Sequence, residues 1–177
     1  MILMDKILQG IERTAYVVGY GTGYILLGII ALTQIEVISR YVLGQPLILC
    51  DEFGGYSLFA ITFLGLAYCA KEKGHIRITF LVERMSAKTS GRVRVLTLIL
   101  GLVYIGIASK VSWEFLILSF KRGIKSNSWL MTPLSWPQMV LPVGCTLFFL
   151  VLLVQLVRTI RDVKAGARVE EASGQEF

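Results

Sequence analysis

The sequence predicts an all-α protein: an integral membrane bundle of four transmembrane helices. It forms a single membrane domain over residues 1–177, with both termini cytoplasmic and an amphipathic surface helix between spans two and three. Three observations predict this. The chain is 55% apolar with a mean hydropathy of +0.68, well above the usual composition of a soluble domain. Its apolar residues gather into four runs, each near the roughly 20 residues needed to cross a bilayer. Its cations lie mostly on alternate connections, as the positive-inside rule requires. At 177 residues there is room for one bundle and not for a second domain.

The first span is expected over about residues 15–38. Met1 to Thr14 is an amphiphilic start carrying Asp5, Lys6, Glu12 and Arg13. The apolar stretch after it is too long for a cleaved signal peptide, so it is read as a retained helix. Gly19 and Gly23 form a small-xxx-small pair of the kind that lets helices approach closely. Gly44 and Pro46 then break the chain in a short connector.

The second span is expected over about residues 53–70. It is an uninterrupted run of 18 apolar or weakly polar residues, about 27 Å of helix, entered through Asp51 and Glu52. Beyond it, Lys71 to Arg94 holds seven basic residues. Within this tract Ile78, Leu81, Val82 and Met85 share one helical face, while Arg77, Arg84 and Lys88 share the other. The pattern predicts a helix over about 76–88 lying on an anionic membrane surface. His75 and Arg77 stand at its start, and Ile78, Leu81 and Met85 seat it in the lipid.

The third span is expected over about residues 95–120 and the fourth over about 139–157. The connector between them carries Lys121, Arg122, Lys125, Trp129, Pro133, Trp136 and Pro137. Its tryptophans suit the headgroup level. After span four a polar tail is expected to fray into disorder.

These spans place thirteen of the eighteen cations on the side that holds both termini. Four lie on the other side, and Lys110 lies within a span. The majority side is the expected cytoplasmic one. The net charge of +6 is therefore a topology signal, not a sign of nucleic-acid binding.

Charges inside or at the ends of spans are costly and mark candidate sites. Glu36 and Arg40 are four apart in the favourable order on a helix. Lys110 and Glu114 repeat that spacing, and Asp51 with Glu52 opens span two. At 1.5 Å per residue all six fall toward the non-cytoplasmic side. Two readings stand: a paired polar layer that fixes the helices or meets a partner, and independent side chains snorkelling to water. A transport path through this chain alone is disfavoured, since the middles of the spans are nearly all apolar.

Enzyme chemistry finds no support. His75 is the sole histidine and lies outside the spans, which excludes a bis-histidine haem in one chain. No HExxH, GxSxG or phosphate-loop pattern occurs. Cys50, Cys69 and Cys145 form neither a disulfide framework nor a metal pattern. Neither cofactor nor metal is expected.

Several of these residues, in this order, resemble the small membrane subunit of tripartite ATP-independent periplasmic (TRAP) transporters, the DctQ type. The resemblance rests on Arg40, Asp51–Glu52, Phe63-Leu64-Gly65, Gly74-His75-Ile76-Arg77, Pro133, Trp136 and Leu141-Pro142-Val143-Gly144. It covers about residues 35 to 150. Two positions depart from the pattern: Cys50 precedes the acidic pair where the family often has tryptophan, and Thr79 stands where it often has aspartate.

The resemblance implies a multi-pass subunit of the bacterial inner membrane. Its partners would be a large membrane subunit, a periplasmic substrate-binding protein and membrane lipids. The assembly would take up an organic acid, often a carboxylate, on a sodium gradient, with substrate and sodium sites outside this chain. Two other classes compete. A self-sufficient multidrug/proton-type transporter would carry a carboxylate deep in the bilayer. The membrane anchor of a respiratory oxidoreductase would carry histidines in its spans.

Overall fold

The computed structural model describes residues 2–45, 49–72, 87–128 and 130–164. Among the described residues five helices run in order: α1 Ile2–Val42, α2 Leu49–Lys71, α3 Ala87–Arg122, the short α4 Ser135–Gln138 and α5 Val140–Lys164. Four of them are long and apolar enough to cross a membrane. The expected surface helix, with His75, Arg77, Ile78, Leu81 and Met85, lies outside the described residues. Ala87 and Lys88, at the end of the expected range, belong to α3.

The long helices alternate in direction and pack in a row. α5 lies against both α2 and α3, α2 lies against α1, and α1 touches α5 more lightly. α1 and α3 thus form opposite flanks. One apolar cluster joins Ala15, Ala67, Ala70 and Val151, where three alanines let α1, α2 and α5 meet closely. A second joins Ile105, Cys145 and Leu152, with Phe63 and Phe149 packed around it.

Two glycines set the closest approaches. Gly19 of α1 lies under the ring of Tyr68, where any Cβ would overlap the ring. Gly23, its partner in the small-xxx-small pair, has open space beside it. Gly144 of α5 faces the backbone of α2: a Cβ there would stand 2.5 Å from the Phe63 carbonyl oxygen.

α1 and α3 are longer than the expected spans, at 41 and 36 residues. At 1.5 Å per residue each is over 50 Å long, far more than the roughly 30 Å hydrocarbon layer. At the N-terminal end of α1 the extra turns are packed. Leu8 is buried, and the Arg158 guanidinium of α5 pairs with Glu12 at 2.9 Å. On the same end Gln155 donates to the Ala70 carbonyl near the end of α2, where helix carbonyls lack an intrahelical partner. Lys71 sits 4.5 Å from the centre of the Tyr16 ring.

Candidate functional site

The opposite end gathers the C-termini of α1 and α3 and the N-termini of α2 and α5. Each chain reversal there follows from local chemistry. α1 stops at Gly44, whose φ of +67° is open to glycine at little cost. Ser39 Oγ donates to the Gln45 carbonyl at 2.7 Å and folds the connector back. α3 stops at Gly123, φ +56°. From there residues 124–128 and 130–134 lie in a small loop closed at its base. Ser126 N–H donates to the Thr132 carbonyl at 2.8 Å and Leu134 N–H to the Ile124 carbonyl at 3.0 Å.

This loop is fastened to α2 by Glu52. The Tyr56 hydroxyl donates to Glu52 Oε1 at 2.6 Å, and the Ser128 hydroxyl donates to Oε2 at 2.7 Å. Ser128 N–H in turn donates to Ser126 Oγ at 3.3 Å. Glu52 is buried although it stands in the first turn of α2, where a helix N-terminus favours negative charge. Its two oxygens accept hydroxyl hydrogens, one from its own helix and one from the loop.

Beside this clasp opens a cleft of about 570 Å³, lined by Asp51, Glu52, Tyr56, Phe59, Ser128 and Gln138 among others. Its polar groups are carboxylates, hydroxyls and one amide, and Gln138 Oε1 is buried without a hydrogen-bond partner. Among the described residues no group of His, Cys, Asp and Glu could hold a metal ion.

The six charged residues singled out from the sequence do not form one network. Arg40 donates to Glu36 on its own helix. Glu36 is 6% exposed, turned into the bundle, and its Oε2 has no partner. Asp51 is exposed. Lys110 and Glu114 lie 3.9 Å apart on α3 with side chains 79% and 65% exposed. Among the described residues no ion pair joins α1, α2 and α3 at this level.

The clasp partners Tyr56, Ser126 and Ser128 were not singled out from the sequence. Tyr56 was within reach, because residues four apart share a helix face. Ser128 lies 76 positions from Glu52, and nothing local signals that meeting. Deeper in the bundle α3 and α5 share a polar contact: Trp113 Nε1 donates to Thr146 Oγ1 at 3.2 Å, and Thr146 donates on to the Pro142 carbonyl.

Among known families, the model for tripartite ATP-independent periplasmic transporters, DctQ component, matches residues 29–162. The matched range holds the clasp, the cleft and the Phe63–Gly144 approach. No curated protein sequence matches the chain.

Proposed function

The chain belongs to the DctQ family, the small membrane subunits of TRAP transporters, and from that premise we propose that it packs on the scaffold of the large membrane subunit and supports sodium-driven, binding-protein-dependent uptake of an organic acid. It is a multi-pass membrane protein, with four helices among the described residues long and apolar enough to cross a membrane. In this reading it sits in the bacterial inner membrane with both termini cytoplasmic, so the Glu52 end faces the periplasm. Substrate and sodium are bound by the large subunit and the binding protein. The family match over residues 29–162 carries the reading. The charge distribution supports it: the charged residues well within the four spans are Glu36, Lys110 and Glu114, too few to line a path of their own.

Reconstitution tests it. In liposomes under a sodium gradient the chain alone is expected to move no organic acid. Together with its large subunit and binding protein, uptake is expected. Robust uptake by the lone chain rejects the subunit reading.

Topology is tested separately. Alkaline phosphatase joined after Gly44 or after Lys125 is expected to be active, and joined after Gly74 inactive. The reverse pattern rejects the assigned orientation.

A further inference from the structure

The bundle treats its few intramembrane charges in opposite ways. Between Arg13 and Arg40 the single charged residue of α1 is Glu36, and it is turned inward and buried. The outward face of α1 keeps Val17, Tyr20, Tyr24, Leu27 and Ile38 exposed, a surface suited to lipid. On α3 the charged residues between Arg94 and Lys121 are Lys110 and Glu114, and both point out of the bundle. They share that face with exposed Val103, Tyr104, Ile107, Val111 and Leu118. The inward face of α3, with Leu102, Ile105 and Ala108, is covered by α5.

Depth makes the difference costly. Lys110 lies 11 residues before Lys121, about 16 Å along the helix. Glu114 lies 7 residues before it, about 10 Å. From Arg94 to Lys121 α3 covers about 40 Å, so a roughly 30 Å hydrocarbon layer centred on it includes both residues. Their pairing distance of 3.9 Å is loose. Each therefore keeps unused hydrogen-bonding capacity facing the acyl chains, where an unsatisfied charge is expensive. A membrane-embedded protein surface with polar groups at that depth removes the cost.

We propose that the outward face of α3, centred on Lys110 and Glu114, is the surface that docks the large membrane subunit, and that this pair meets polar groups of that subunit within the bilayer. The inference rests on the subunit reading above and specifies which flank is covered. α1, on the other flank, faces lipid.

The test uses the chain co-expressed with its large subunit and purified in mild detergent. A photoreactive benzoylphenylalanine is placed at Tyr104 of α3 or at Tyr24 of α1, which are 76% and 74% exposed. Position 104 is expected to cross-link to the large subunit and position 24 to lipid only. In parallel, Lys110→Leu with Glu114→Leu is expected to lower copurification of the large subunit by about threefold or more, the scale of one lost polar contact between membrane helices. The amount of the chain itself in the membrane is expected not to fall, since α3 still meets α5 through its other face.

Undiminished copurification by the double variant, or cross-linking from 24 that equals or exceeds that from 104, overturns the proposal. The first would identify the pair as snorkelling charges. The cross-linking arm keeps the native pair and so does not depend on how the double variant folds. Failure of the wild-type chain to bring down any large subunit is a different result: it rejects the subunit reading itself.

Discussion

Gly144→Ala is expected to lower the melting temperature of the detergent-purified chain clearly, whereas Gly65→Ala leaves it nearly unchanged. At Gly144 the added methyl would meet the Phe63 carbonyl oxygen at 2.5 Å and its carbon at 2.7 Å. Those are backbone atoms of a helix, so no side chain can rotate away. α2 and α5 must separate, and the clusters on either side, Ala67–Val151 and Phe63–Cys145, loosen with them. Overpacking of this kind costs about 1–3 kcal/mol. Gly65 lies in the same helix as Phe63, but a Cβ there has nothing within 4 Å. In a helix it even gains roughly 0.5–1 kcal/mol over glycine. Fluorescence-detected thermal unfolding of both variants checks the pair. Equal melting temperatures would show that α2 and α5 are not held at backbone contact.

Glu52→Ala is expected to release the loop at residues 124–134 while leaving the helices folded. It removes the acceptor of two hydroxyls, Tyr56 and Ser128. Hydrogen bonds to a charged group are worth about 1.5–3 kcal/mol each. Only the Ser128 bond reaches the loop, so loop opening should become roughly tenfold or more easier, 1.4 kcal/mol being a factor of ten. Lys125 is exposed within this loop, so the rate of trypsin cleavage after Lys125 reads the opening directly. Ser128→Ala should raise that rate similarly, and Asp51→Ala, at the exposed neighbour, should not. An unchanged rate in Glu52→Ala would show that the loop holds without the clasp.

The clasp also shows where sequence reasoning reached its limit. A carboxylate at the entrance of an apolar helix is legible, because intramembrane charge is costly wherever it occurs. Its partner is not. Arg40, the nearest cation by topology, is engaged by Glu36 four residues earlier on the same helix. That (i, i+4) geometry needs no tertiary structure. Glu52 is left to two neutral hydroxyls, one of them from a loop 76 positions away. Serine is common in loops for its turn chemistry, so Ser128 carries no mark of its own. Lys110 and Glu114 show the same limit differently: spacing pairs them on one helix, but only packing decides whether that face looks inward or outward.

What the sequence determined alone is the four long helices. Four apolar runs must become helices, because a backbone in lipid has to satisfy its hydrogen bonds internally. The resemblance to the DctQ family rests on short motifs that are legible in the sequence without any tertiary structure. The tertiary structure decided the neighbours. The four long helices carry apolar side chains on most of their faces, so α5 finds α2 and α3 through shape. A glycine opposite a carbonyl and alanines at a three-helix meeting set the distances. Shape complementarity depends on the joint arrangement of several surfaces, and that exists only once the helices have met.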